Sequence, residues 1–156
     1  MVSTFVMREE VRGQMRPRFS ARGGVVRTYK HPRDMLWETV IRDAYTRQCD
    51  AAMHDGEVSI EIYVRRHLPL SIKRPDADTH KPDIDNVAKS VLDALNGVAF
   101  VDDRCVTRLV VDKAPRYLDS RDAMVVVVRD VDDGISRGRE TLWQRFTSYL
   151  TQSDRS

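Results

Sequence analysis

The sequence predicts one α/β domain with an appended C-terminal helix, and three observations predict it. AMVVVVRD, Ala123–Asp130, is almost wholly apolar and β-branched, as a buried central strand requires. EVSIEIYVRRHL alternates Val58, Ile60, Ile62 and Val64 with Glu57, Ser59, Glu61 and Tyr63, the period of a half-buried strand with one polar face. Around these strands apolar residues recur at helical spacing, in Met35, Leu36, Thr39, Val40 and Ala44 and again in Val87, Val91, Leu95 and Val98.

In chain order, STFVMREEV at residues 3–11 reads as the first strand. Gly13, Pro17, Gly23 and Gly24 make residues 12–24 a loop or a loose hairpin. VVRTY, Val25–Tyr29, is a short strand, and Pro32 suits the first turn of a helix over residues 32–53 that ends near Gly56. After the alternating strand, Pro69, Pro75 and Pro82 break a polar loop at 69–82. A helix begins near Asp85 and leaves at Asn96-Gly97. TRLVVDK at 107–113 is a further strand, and an amphipathic helix over 137–150 places Leu142, Phe146, Tyr149 and Leu150 on one side. The organisation expected is a core domain at 1–130 and a helical extension at 131–156.

The 156 residues are enough for one domain with a real core. At 41% hydrophobic and 32% charged the composition is that of a soluble globular protein. No run reaches the roughly 18 apolar residues of a membrane span. The N-terminus, MVSTFVMREEVR, lacks the features of a signal peptide. Cys49 and Cys105 form no framework and no metal spacing, so both read as ordinary thiols of a cytoplasmic protein.

The net charge of +2 hides an asymmetry. Residues 11–33 carry Arg12, Arg16, Arg18, Arg22, Arg27, Lys30 and Arg33 and no acid. Such a run is either a solvated surface or a phosphate-contacting one. Arginine's planar fork suits phosphate oxygens, and Phe19 and Tyr29 are placed to stack on bases. Lys73, Arg74 and Lys81 add to the same charge.

KPDIDNVAKSVLDAL, residues 81–95, concentrates carboxylates where the second helix begins. On that helix Val87, Val91, Leu95 and Val98 form the burying stripe, while Asp85, Lys89 and Asp93 form another strip four residues apart. One of Asp83 and Asp85 serves as an N-cap in the plainest reading, and the i,i+4 pairs are then worth only about 0.3–0.5 kcal/mol each. That leaves unexplained a second acid two residues away and the pair Asp102-Asp103 after the helix, since adjacent carboxylates repel unless a cation compensates. An all-oxygen set suits Mg²⁺ or Mn²⁺ rather than Zn²⁺. An EF-hand fits poorly, because counting from Asp83 the glycine position holds Ala88 and the last ligand position Ala94. An aspartyl-phosphate D-x-D would follow a buried strand, whereas Lys81-Pro82 precedes here.

PDIDNVAKSVLDAL, a following glycine and DD resemble the signature of the RusA-type Holliday junction resolvases, endodeoxyribonucleases common in phages and prophages. The resemblance is best over 81–113, and GQMRPRFS with the strand ending at Tyr29 is also similar to phage members. It implies a mixed sheet flanked by helices, a homodimer presenting two active sites to branched DNA, and no membrane partner. It implies that Asp83, Asp85 and Asp103 bind the catalytic metal, with Asp102 a neighbouring acid that also enters the metal set, and that Lys89 is needed for activity. Asp93 is as readily a structural pair, and Asn86 supports the loop. Cys105 stands where family members often have glutamine, and the helix after Asp130 maps onto nothing in the family core.

The mechanism this implies is metal-assisted hydrolysis, with Mg²⁺ (or Mn²⁺ in its place) activating water and Lys89 stabilising charge or orienting that water. DNA would be gripped by Arg12, Arg16, Arg18, Arg22, Arg27, Lys30, Lys73, Arg74 and Lys81. Two rivals stay open: a non-catalytic DNA-binding module, and a metal-dependent nuclease acting on flaps or other DNA.

Overall fold

In the computed structural model of the chain, residues 1–15, 18–22, 25–67, 71, 78–115 and 121–131 are described, those at 18–22 and 25–28 by backbone alone. The elements are β1 (Val2–Met7), β2 (Arg18–Arg22), β3 (Val25–Tyr29), α1 (Pro32–Gln48), β4 (Val58–Arg65), α2 (Ile84–Leu95), a 3-10 turn at Asp103–Cys105, β5 (Val106–Lys113) and β6 (Ala123–Asp130). The C-terminal helix expected at 137–150 lies outside the described residues.

The sheet is mixed, in the order β1-β6-β4-β5. β6 pairs antiparallel with both β1 and β4, and β4 pairs parallel with β5. The β4–α2–β5 passage is therefore a crossover, the connection a parallel pair needs. β6 has the expected bounds and the central place, and Ala123 through Val128 are buried. β2 and β3 form a separate hairpin, which resolves the loop-or-hairpin alternative for residues 12–24.

One face of the sheet carries the main core. Phe5, Met7, Ile60, Ile62, Val64, Met124, Val126 and Val128 pack with Trp37, Ile41 and Tyr45 of α1 and Val87, Val91 and Leu95 of α2. Val87, Val91 and Leu95 of the predicted stripe are removed from water, worth roughly 1.5–3 kcal/mol apiece, while Val98, its fourth member, lies past the end of α2 and is half-buried.

Three expectations need correction. β1 stops at Met7 rather than at residue 11, because Val11 N–H leaves the ladder and donates to Asp122 Oδ2 (3.1 Å). α1 stops at Gln48, not near residue 53, because Asp50 and Ala51 take left-handed backbone with φ of 52° and 51°. The polar face of β4 is not solvated. Ser59 and Glu61 are buried, because their face also carries Tyr63, Val125 and Val127 as a second apolar cluster. Glu61 is satisfied there by Tyr63 Oη (2.5 Å) and Arg108 Nη1 (3.1 Å), so a period-two polar pattern meets burial without an orphaned charge.

Candidate active site

Asp83 occupies the N-cap position of α2 with extended backbone, and its carbonyl accepts from Val87 N–H (3.1 Å). Its side chain makes no capping hydrogen bond. The plain reading of this aspartate as a cap therefore fails, and its carboxylate is left outward and exposed. Asp85, in the first turn, and Lys89, one turn on, are exposed as well. Among the described residues no ion pair holds any of the three. An unsatisfied helix start with two free carboxylates is poor as stability and good as a cation site.

The turn before Asp83 is held from below. Lys113, the last residue of β5, donates from Nζ to His80 O (2.7 Å) and Pro82 O (3.0 Å). Arg66, just past β4, donates to Lys81 O. Buried Asp78 sits near both cations, 3.6 Å from Arg66 Nη1 and 3.8 Å from Lys113 Nζ. Sequence reasoning missed this clamp, since its acceptors are backbone carbonyls that no motif displays.

The 11–15 loop holds the other side. Gln14 N–H donates to Asn86 O (3.0 Å), and Met15 N–H donates to Asp34 Oδ1 (3.1 Å). A Cβ on Gly13 would stand 2.7 Å from Pro82 Cβ and 2.9 Å from Asn86 Cβ, so only glycine admits this approach. Asp93 is the structural pair foreseen as one option: its Oδ2 accepts from Gln14 Nε2 (2.9 Å) and Lys30 Nζ (2.8 Å). Lys30 also pairs with Glu38, and these carboxylates raise its pKa against the opposing effect of burial, the largest single influence. Lys30, expected on the DNA surface, thus ties β3 to both helices.

Between this loop and the starts of α1 and α2 lies a cavity of about 880 Å³. Among the described residues its lining includes Arg12, Arg33, Arg66 and Lys81 as cations and Glu10, Asp34, Asp83 and Asp85 as acids, with Arg12 Nη2 paired to Glu10 Oε2 (3.0 Å). Trp37, Val11, Met15 and Pro82 give it apolar walls. Arg12 and Lys81 are exposed there; Arg16, Lys73 and Arg74 lie outside the described residues, as do the side chains of Arg18, Arg22 and Arg27. Arg33, Arg66, Asp34 and Trp37 are lining residues that the D-x-D-N motif did not indicate.

The later acidic pair is elsewhere. Asp102 caps the 3-10 turn, and Arg104 engages both its oxygens, from Nε at 2.8 Å and Nη2 at 3.2 Å. That fork and the Arg104 backbone N–H hold its pKa down at about 2. Asp103 is exposed. α2 is roughly 18 Å long by its 12 residues. β5 ends at Lys113 beneath Pro82, so its start, and Asp103 ahead of it, stand at the opposite end of α2 from Asp83. Accordingly, among the described residues no three His, Cys, Asp or Glu side chains converge to hold a metal ion. One chain brings Asp83 and Asp85 together and leaves Asp103 apart.

Free paired carboxylates beside a cavity that also carries arginine and lysine are the equipment of an enzyme that works on phosphodiesters. The family model described as Endodeoxyribonuclease RusA matches residues 9–128, and the chain belongs to that family. Its members are hydrolases that cut DNA, depend in general on divalent metal and bind branched DNA. The chain is also similar to uncharacterized protein YqaN of Bacillus subtilis (strain 168), 29% identical over 138 residues that cover 81% of this chain and 95% of the relative. No helix among the described residues is long and apolar enough to cross a membrane.

Proposed function

We propose that this protein is a Mg²⁺-dependent endonuclease that resolves four-way DNA junctions in the cytoplasm, acting as a homodimer. The observation that carries the reading is Asp83, an N-cap residue whose carboxylate caps nothing and stands free beside Asp85. The donor set fits a hard divalent cation, since both groups are oxygen ligands and neither is engaged elsewhere among the described residues. Asp83 and Asp85 would hold it, and when bound it would polarise the scissile phosphate and acidify a water.

Because Asp103 stands at the far end of α2 in its own chain, the third carboxylate of each site would be Asp103 of the second copy. A two-fold dimer supplies this reciprocally and creates two sites, matching the two strands that junction resolution must cut. Asp102, already forked by Arg104, would stay a neighbour and not a ligand. Lys89, cationic and facing water one turn from Asp85, would stabilise charge developing on the phosphate. Arg12 and Lys81, with Arg16, Arg18, Arg22, Arg27, Lys73 and Arg74, would neutralise backbone phosphates, so affinity should fall steeply with salt.

The test is a substrate panel of four-way junction, flap and linear duplex with Mg²⁺. Preferential cutting of the junction is expected, and equal cutting of all three would remove the resolvase reading. Mixing Asp83→Asn with Asp103→Asn chains tests the shared site: if each alone is inactive, the mixture should regain cleavage at one of its two sites.

A further inference from the structure

We infer that the cavity beside Asp83 and Asp85 receives one unstacked nucleotide from the branch point, next to the phosphate being cut. This rests on the function proposed above and adds to it the means of choosing branched over continuous DNA.

Backbone phosphates alone need a cationic surface, not a hollow. This hollow, about 880 Å³, has room for a base with its sugar and has apolar walls in Val11, Met15, Trp37 and Pro82. Those walls contribute nothing to binding phosphate and suit the faces and edges of a base. Arg33 and Lys81, both exposed, stand where the nucleotide's own phosphate would remain, beside Arg12, which is paired to Glu10 (3.0 Å). Trp37 is 5% exposed, so it backs the wall as apolar surface. Asp34, buried in the same lining, is held to Met15 N–H by one oxygen, which fixes the wall against the loop.

The energetic logic gives selectivity. Drawing a base out of intact duplex costs a few kcal/mol, and at a branch point, where pairing and stacking are already interrupted, the cost is least. The cavity adjoins Asp83 and Asp85, so a nucleotide seated in it brings its flanking phosphate to the carboxylates. Continuous duplex, unable to release a base cheaply, would lie across the mouth with its phosphates out of register.

The experiment uses junctions with a single abasic residue placed in turn at each branch-point nucleotide, with wild-type protein and Met15→Trp, which fills the cavity from an exposed position. Cleavage is followed as kcat and KM, and binding by anisotropy with Asp83→Asn. One abasic position should cost wild type about 10-fold in kcat/KM, and the same substitution should cost Met15→Trp less than 2-fold, since its cavity no longer takes a base. Junction cutting that is indifferent to abasic residues at every position would overturn the inference and leave the nuclease reading intact. An abasic penalty undiminished in Met15→Trp would also overturn it. Absence of both binding and cleavage of any branched DNA would remove the two together.

Discussion

Asp130, His54 and Ser3 stand in the order of a hydrolase triad, while Asp83 and Asp85 stand in no such array. His54 Nδ1–H donates to Asp130 Oδ1 (2.6 Å), its Nε2 meets Ser3 Oγ (2.8 Å), and the Met1 ammonium donates to Asp130 Oδ2 (2.7 Å). Ser3 and His54 are buried, and Tyr45 Oη, which closes over them, donates to Ala52 O. Every group in that network is engaged by a neighbour in the fold. Among the described residues the Asp83 and Asp85 carboxylates have spent none, and they face water next to a cavity. The difference teaches that residue identity and order do not mark a site. Capacity left unspent at an accessible place does, because a reactant can be bound only with bonds the fold has not already used.

Breaking the open site should have the largest effect on activity. Asp83→Asn or Asp85→Asn should lower junction cleavage by about 10³-fold or more while thermal stability stays within a degree or two, measured by single-turnover cutting and calorimetry. Gly13→Val should come next, with cleavage down about 10–100-fold, because the new side chain forces the basic loop off Pro82 and Asn86. The closed network should respond in the opposite sense: His54→Ala should cost about 2–4 kcal/mol in denaturant unfolding and leave kcat per folded molecule within 2-fold.

The same contrast can be sharpened with pH. The N-terminal ammonium, the largest influence, holds Asp130 below the ordinary carboxylate range against burial, the next largest, and His54 adds to the lowering. A depressed folded pKa contributes stability that is present above the unfolded value, near 3.9, and lost as pH falls through the folded one. Acid unfolding below about pH 4 should therefore be shallower in Asp130→Asn than in wild type. The smallest expected effect is at Asp102: with Arg104 already on both oxygens, Asp102→Asn should change cleavage less than about 5-fold, against loss of cleavage for Asp103→Asn.

Parts of this molecule were legible in its residues and parts were not, for physical reasons. β6 and α2 could be read because burial of a whole strand and of one helix stripe each leave a signature in the residues. The apolar run from Ala123 and the Val87-Val91-Leu95 stripe came out where expected, at Ala123–Asp130 and Ile84–Leu95. The polar side of β4 could not, because Glu61 written between valines and isoleucines looks the same whether water or Arg108 satisfies it. Asp83 and Asp85 could be singled out as a pair, two residues apart on one helix start. Their separation from Asp103 could not, since it depends on which way β5 runs beneath α2, a matter of topology that spacing along the chain does not record. Arg66 and Lys113 left no trace for a similar reason: they act on carbonyl oxygens that every residue possesses.

Gly13 carries one more consequence. Its missing side chain sets the gauge between the arginine-bearing loop and the acid-bearing helix, at a separation where even one methyl group collides with Pro82 and Asn86. The two surfaces are therefore not independent parts that drift could retune one at a time. If Asp83 and Asp85 hold a metal ion, any change in the loop's basic reach would be transmitted to the angle at which they meet it, and charge placement and chemistry would share a single mechanical tolerance.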